Sequence, residues 1–372
     1  MEAAIKKFKK IVVCGLSLCL CMTMFLSCGN SNTESDESEK PYIAMISKGF
    51  QHQYWQVVKR GANDAANDFD VNITFDGPPS ESDINLQVDM LKNALERQPV
   101  AICLAALDTS AVTDQLNEAK NKNIPVIGFD SGIPNAPTGS VAANASTDNF
   151  KAAELAADEL FKNEKFLTEV TKGTEKNPVV IGILSQDAVS DSIKKRTSGF
   201  IENIVKKIET LDGMKGAVEV TGHEQFNKPS KNVAKVSVQI KVPVSAAVSD
   251  MKKSAQELLA ANHIIALYAT NENAVTGVLS ATNDGSDLDR TNGKYKNVLV
   301  VGFDAGKGQK TAVQNGWFLG SVTQDPYQIG YKAVELAYKS YKKEVVNNVD
   351  TGAKWYNKDN LGDPEISELV YD

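Results

Sequence analysis

From residue 41 onward, short and nearly continuous apolar runs alternate with longer amphipathic stretches, and this alternation constrains the fold more than any other feature. The runs at 42–47, 71–75, 100–106, 124–130, 179–184, 264–269 and 298–304 have strand length and little polar interruption. A strand that is apolar on both faces needs cover on both faces, and a parallel sheet between helices provides it. The stretches 54–69, 84–97, 112–122, 150–163, 193–209, 251–262 and 327–343 read as the covering helices. Gly, Pro or Asn punctuate most boundaries, as at Arg97-Gln98-Pro99 and Asn123-Ile124-Pro125. This order predicts an α/β fold, and 372 residues suit two parallel sheets better than one.

One segment breaks the rhythm. Val236, Val238, Ile240, Val242 and Val244 alternate with Ser237, Gln239, Lys241 and Pro243. Period two predicts a strand with one solvated face. It reads as a long edge strand without a role of its own; an edge hairpin or inserted ribbon with 217–221 is the alternative. The surrounding stretch 213–248 reads as an insertion.

The N-terminus follows a different logic. Residues 1–10 carry four lysines and one glutamate, and an uncharged run continues to Cys28. That run is shorter than the roughly 20 residues needed to span a bilayer, so it reads as a secretory signal over 1–27. It ends Phe25-Leu26-Ser27-Cys28-Gly29, which resembles a bacterial lipobox with Cys28 as the lipidated residue. Phe25 departs from the usual Leu, and Cys19 and Cys21 are weaker candidates because apolar sequence continues beyond them. An uncleaved anchor helix is the alternative. Either way the expectation is an extracytoplasmic protein tethered to a bacterial membrane, with residues 28–40 as a flexible polar tether.

The whole chain has a net charge of −7; without 1–27 it holds 36 basic and 46 acidic residues, a net charge of −10. No basic surplus exists to neutralise phosphates, which argues against nucleic acid as a partner. Of the five cysteines only Cys28 and Cys103 remain, so no internal disulfide is expected, and Cys103 reads as a buried small hydrophobe. His52, His223 and His263 fit no metal-ligand spacing, and no cofactor is expected.

In open parallel sheets, ligands bind beyond the carboxyl ends of the strands. The residues following the apolar runs are unusually polar: Ser47, Asp108, Asp130-Ser131, Gln186-Asp187, Asn271, Asp304 and Gln324-Asp325. Amides and carboxylates supply the donors and acceptors that a polyhydroxyl ligand needs. Tyr54 and Trp55, just after the first strand, offer flat faces for a sugar ring. Singly, each residue is explained by helix capping or core packing; together they predict a binding site.

A resemblance rests on the segments Tyr42-Ile-Ala-Met-Ile-Ser47, Ile124-Pro-Val-Ile-Gly-Phe-Asp130, Thr147-Asp-Asn149, Lys195-Arg-Thr-Ser-Gly-Phe200, Ala269-Thr-Asn-Glu-Asn273, Val300-Val-Gly-Phe-Asp304 and Thr323-Gln-Asp-Pro-Tyr-Gln-Ile-Gly330. On these, spread over roughly 41–350, the chain resembles the sugar-binding lipoproteins of ABC importers, of the ribose- and galactose-binding type of periplasmic binding protein. The resemblance implies a type I periplasmic binding protein fold, with two Rossmann-like lobes joined by a three-segment hinge. It places lobe one at 41–147 plus 325–353 and lobe two at 148–324 plus 354–372. It also implies a monomer that closes on its ligand and is recognised by a membrane permease.

Carried over by position, Tyr54 and Trp55 match paired aromatics that stack on the sugar, and Asp130 matches an acid that accepts from its hydroxyls. Arg196 matches a donor to hydroxyls and ring oxygen. Asn271 and Asp304 match an amide and an acid of lobe two and the hinge side, and Gln324 a hinge amide. Asp187 and Ser190 lie nearby. Many relatives have Arg after the first acid, where this chain has Ser131, which lacks the reach and the bidentate donor. The loop before Tyr54 is one residue longer and carries Gln51-His52-Gln53, with His52 or Gln51 replacing a family Asn. No lobe-two stacking aromatic is evident; Phe226 lies in the inserted region. A ligand other than a sugar is compatible with these departures.

The rival readings are a sensor or chemoreceptor binding protein of the same fold, for which pocket physics would be identical, and an extracytoplasmic carbohydrate-active enzyme. The enzyme reading lacks an activated nucleophile and a Gly-x-Ser-x-Gly elbow. A sugar-responsive repressor is excluded by the signal and the acidic tether. Gly302-Phe-Asp-Ala-Gly-Lys-Gly308 fails the phosphate-loop spacing and reads as a turn after a strand.

Overall fold

The computed structural model describes residues 40–371. The expected signal 1–27, the lipidation site Cys28 and the tether up to residue 39 lie outside the described residues.

The first half runs β1 (Tyr42–Ile46), α1 (Gln53–Asp68), β2 (Asn72–Asp76), α2 (Ile84–Glu96), β3 (Ala101–Leu104), α3 (Thr113–Asn121), β4 (Val126–Phe129) and β5 (Ala143–Ser146). There follow α4 (Asn149–Phe161), α5 (Glu164–Val170), β6 (Val179–Leu184), α6 (Asp191–Ile208), β7 (Val218–Thr221), β8 (Val236–Lys241), α7 (Val248–Leu259), β9 (Ile264–Ala269), α8 (Glu272–Ala281), β10 (Leu299–Phe303), α9 (Lys307–Gln314) and β11 (Gly320–Gln324). The chain ends with α10 (Pro326–Tyr341), β12 (Val349–Asp350), β13 (Ala353–Tyr356) and α11 (Pro364–Ser367).

These strands form two sheets. The first has the order β12-β5-β4-β3-β1-β2 and the second β13-β11-β10-β9-β6-β8-β7. Every pairing in the first sheet is parallel. In the second sheet only the β11–β13 pair is antiparallel. All seven strands expected from the apolar runs are present, and β1, β3, β4, β6, β9 and β10 are buried almost throughout. The chain passes between the sheets three times, after β5, after β11 and between β12 and β13. Thr147 Oγ1 donates to Gln324 Oε1 at 2.9 Å, tying two of these crossings together. The α/β class with two parallel sheets and a three-segment hinge is thus as the sequence predicts.

The period-two segment is a correction. β8 is not an edge strand and makes no hairpin: it lies inside the sheet, parallel to β6 on one side and to β7 on the other. Its polar face is partly covered: Ser237 is buried, while Gln239 and Lys241 are half-buried and Lys241 pairs with Glu257 on α7 at 2.8 Å. Partial exposure at the end of an internal strand gives the same alternation as an edge does. Phe226, in the connection from β7 to β8, packs into the second sheet's core. Cys103 is buried in β3, where burial pushes its thiol well above the ordinary range, as expected of an inert hydrophobe.

Several elements escaped the sequence reading. β5, Ala-Asn-Ala-Ser, is too polar to register as an apolar run. α8 and α9 follow their strands so directly that their apolar residues merge with the strand signal. Their starts are chemically marked nonetheless. Asn271 Oδ1 accepts from the Ala274 N–H at 3.0 Å at the head of α8, and Asp325 Oδ1 from the Gln328 N–H at 2.9 Å at the head of α10.

Candidate functional site

The carboxyl ends of the two sheets' strands face one small cavity of about 20 Å³. Its lining includes eight of the residues singled out in the sequence: His52, Tyr54, Trp55, Asp130, Arg196, Asn271, Asp304 and Gln324. It also includes Lys48, Glu81, Glu272 and Asn273, which sequence reasoning missed. Residues from both sheets therefore meet around one space, with the first sheet supplying the aromatics and the second the amides and the guanidinium.

On the first side, β1 ends at Ile46 and the chain turns through Ser47 and Lys48 into α1. His52 occupies the N-cap position of α1 without capping it. The next turn carries Tyr54 and Trp55, both buried. Their rings meet edge to face at 5.0 Å, and Trp55 meets Phe129 edge to face at 6.3 Å. The Tyr54 hydroxyl donates to Asp130 Oδ1 at 2.6 Å, while Lys48 Nζ lies 3.1 Å from Asp130 Oδ2. Burial by itself would lower the Lys48 ammonium, but Asp130 and then Glu81 hold it above its ordinary value. The position after Asp130 supplies no cation here; Lys48 supplies one from the end of β1, two strands away in the sheet.

On the second side, Arg196 of α6 is buried and tightly held. Its Nε donates to Asn149 Oδ1 at 2.7 Å and its Nη1 to the Thr270 carbonyl at 3.1 Å. The guanidinium carbon lies 3.8 Å from the Phe303 ring centroid, and Nη1 is 3.6 Å from Asp304 Oδ2. Asp304 also accepts from Gln324 Nε2 at 2.7 Å and from the Glu272 N–H at 2.9 Å. Burial pushes the Asp304 carboxyl up, against the pull of Arg196. Burial likewise raises Glu272 to about 7, against the pull of His52 and with a further push from Asp304.

Direct bonds join the two sides. Glu81, in the loop before α2, accepts from Trp55 Nε1 at 2.7 Å and from Gln186 Nε2 at 2.9 Å. Gln186 Oε1 in turn accepts from Asn271 Nδ2 at 2.7 Å and Asn273 Nδ2 at 3.1 Å. Lys48 Nζ reaches Ser192 Oγ at 3.1 Å, and the Tyr54 N–H reaches Glu272 Oε2 at 3.3 Å. Three buried atoms on cavity-lining residues have no hydrogen-bond partner among the described residues: Arg196 Nη2, Asn273 Oδ1 and Asp130 Oδ2, the last of which meets Lys48 as an ion pair. A buried polar atom without a partner is costly, so such atoms mark places where a ligand completes the network.

Comparison with known proteins agrees with this geometry. Residues 43–344 match the family model described as periplasmic binding protein domain. The chain belongs to the periplasmic binding protein family. This periplasmic binding protein is 37% identical to a solved structure described as an ABC transporter, LacI family transcriptional regulator, from Brachyspira murdochii, with a TM-score of 0.73, 90% of this chain covered and 99% of that one. It is 27% identical to an ABC transporter solute binding protein from Agrobacterium vitis with bound D-fucose, with a TM-score of 0.70, 89% of this chain covered and 100% of that one. It is 24% identical to the ribose import binding protein of Escherichia coli (strain K12) over 85% of this chain and 90% of that protein.

Three sequence candidates of this periplasmic binding protein lie outside the cavity lining. Asp187 Oδ1 is occupied by the N–H groups of Val189 and Ser190 and by the Ser190 hydroxyl, so Asp187 and Ser190 together form the turn that starts α6. Ser131 Oγ accepts from the Ser192 N–H at 3.3 Å. Asn271 does line the cavity, but its oxygen caps α8 and its nitrogen donates to Gln186. The amide with a free acceptor is Asn273, one helical step further on. Among the described residues no group of His, Cys, Asp and Glu could hold a metal ion, and no helix is long and apolar enough to cross a membrane.

Proposed function

We propose that this periplasmic binding protein captures a sugar or related polyhydroxyl molecule between two lobes, outside the cytoplasm, and delivers it to an ABC-transporter permease. The observation that carries this reading is the convergence of polar side chains from both sheets on one small cavity, with Arg196 Nη2 and Asn273 Oδ1 left unpaired on its lining residues. The D-fucose bound to the Agrobacterium vitis relative and the ribose named for the Escherichia coli one point to the same ligand class.

In this reading lobe one is 41–147 plus 325–353 and lobe two is 148–324 plus 354–372. Tyr54 and Trp55 form the aromatic wall, and Asp130, Arg196, Asn271, Asn273, Asp304 and Gln324 meet the hydroxyls. The ligand enters as the lobes part, displacing the Lys48 and Tyr54 contacts to Asp130. Groups from both lobes then bind the same molecule, which is the differential affinity that favours closure. Cys28 carries the lipid anchor, and the protein acts as a monomer. It acts by binding rather than catalysis: Glu81, Asp130 and Asp304 are each committed to fixed partners.

Thermal unfolding of the mature chain against sugars, polyols and nucleosides tests the reading, after removal of any co-purified ligand by unfolding and refolding. A ligand at 100 times its dissociation constant adds about 2.7 kcal/mol of stability. A shift with a sugar supports capture; no shift across the whole panel sinks it.

A further inference from the structure

The cavity's lining carries four carboxylates, Glu81, Asp130, Glu272 and Asp304, against Lys48, Arg196 and the imidazole of His52. Lys48 faces Asp130, and Arg196 faces Asp304. Glu81 and Glu272 line the same space, and among the described residues neither lies within ion-pair distance of a lysine or arginine. Glu81 is committed to Trp55 and Gln186. Glu272 has a single donor, the Tyr54 N–H on Oε2; among the described residues none reaches its Oε1. The same lining holds Arg196 Nη2, a donor without a partner, and Asn273 Oδ1, an acceptor without one, on side chains that are 2% and 1% exposed.

These three groups ask different things of a ligand. The guanidinium needs an acceptor, which a hydroxyl or a ring oxygen provides. The Asn273 carbonyl needs a donor. The Glu272 carboxylate, in a space with surplus negative charge, is best met by a donor that carries positive charge. We propose that the ligand is an amino sugar, a single ring whose protonated amine faces Glu272 while its hydroxyls meet Arg196 and Asn273. The inference rests on the sugar-capture reading and sharpens its ligand class. A neutral sugar leaves the surplus charge uncompensated, and an acidic sugar adds to it.

The groups facing Glu272 include His52 and Tyr54 from the start of α1, Glu81 from the loop before α2, Asp304 from the end of β10, Tyr356 from β13 and Tyr371 from the C-terminal segment. An ammonium beside Glu272 favours its ionised form, so binding at neutral pH releases a fraction of a proton from the protein.

The test compares glucosamine, galactosamine and mannosamine with glucose, galactose and mannose by calorimetry on the mature chain at about pH 7. We expect at least one amino sugar to bind about ten- to a hundredfold more tightly than its neutral counterpart, as charged hydrogen bonds do. Glu272→Gln retains a carbonyl for the Tyr54 N–H and is expected to reduce that ratio about tenfold. A neutral hexose that binds as tightly as its amino counterpart overturns the inference and leaves sugar capture intact. An unchanged ratio in Glu272→Gln overturns it as well. No binding by any of the six overturns it too, and the wider panel above then decides sugar capture separately.

Discussion

The same three-residue turn, Gly-Phe-Asp, closes the first sheet's β4 at 128–130 and the second sheet's β10 at 302–304. Both aspartates adopt left-handed backbone, with φ of 57° at Asp130 and 74° at Asp304. Both backbone N–H groups donate to the next strand, Asp130 to the Ala145 carbonyl at 3.0 Å and Asp304 to the Val322 carbonyl at 2.7 Å. Both glycines lie close to side-chain ends: a Cβ at Gly128 would displace the Asn144 amide, and one at Gly302 the Gln309 amide and the Ser321 hydroxyl. The turns differ in the cation each acid faces. Asp130 meets Lys48, whereas Asp304 meets Arg196. Lysine can lose its proton when its counter-charge is removed, and arginine cannot. One backbone device thus serves an adjustable ion pair on one side of the cavity and a fixed one on the other.

The largest effect is therefore expected at Asp304. Asp304→Asn leaves a buried guanidinium without its carboxylate, a change that costs about 3–5 kcal/mol. Urea unfolding at neutral and alkaline pH measures it, and the deficit should be the same at both. A loss below about 1 kcal/mol would mean that Asn149, Thr270 and Phe303 hold Arg196 without help.

Asp130→Asn is expected to cost less, about 2 kcal/mol near pH 7, and to recover as pH rises. Without Asp130, burial dominates and the folded-state pKa of Lys48 falls below its unfolded value of about 10.4. The folded variant then binds fewer protons than the unfolded chain, so its stability climbs toward about pH 10. In the parent protein Lys48 is held above its ordinary value, and its contribution is lost only as pH rises through that raised value. A deficit that stays flat with pH would break the contrast between the two turns.

Much of this comparison was legible in the sequence. Asp130 and Asp304 stand out because each ends an apolar run, and the Gly before each marks the crowded turn. Tyr54 and Trp55 stand out by their place just after the first strand, and Arg196 through motif resemblance alone. Lys48 was not, because its importance comes from Asp130, which is distant in the chain and 3.1 Å away in space. Glu81 sits in a loop with no periodic signal, and only the fold brings it to both Trp55 and Gln186. Asn271 and Asn273 are alike as residues; what separates them is that the helix start consumes the oxygen of the first. Propensity and pattern locate strand ends, but the state of a polar atom depends on every partner the fold brings to it.

Glu272 has no counterpart at the Asp130 turn, and its N–H donates to Asp304 Oδ2. Its folded pKa of about 7 lies above the unfolded value, so the folded state binds more protons between about pH 4.5 and 7. Stability is consequently lost as pH rises through that window. Glu272→Gln should flatten this part of the stability profile. An unchanged slope would assign it to other groups.

The smallest effect tests the shared backbone directly. In ordinary helix or strand, alanine is more stable than glycine by about 0.5–1 kcal/mol. At a residue with φ near 60° the order reverses, because only the Cβ is strained. Comparing Gly with Ala at one position removes the lost carboxylate from the comparison, since neither residue carries it. We expect Asp130→Gly to exceed Asp130→Ala in stability by about 1 kcal/mol, and Asp304→Gly to exceed Asp304→Ala by a similar margin, measured by the same urea titrations. Equal margins at the two positions would show that the turns store the same strain despite their different cations. A normal Ala-over-Gly order at either one would mean that its backbone relaxes once the carboxylate is gone, and that the ion pair, not the turn, sets the conformation there.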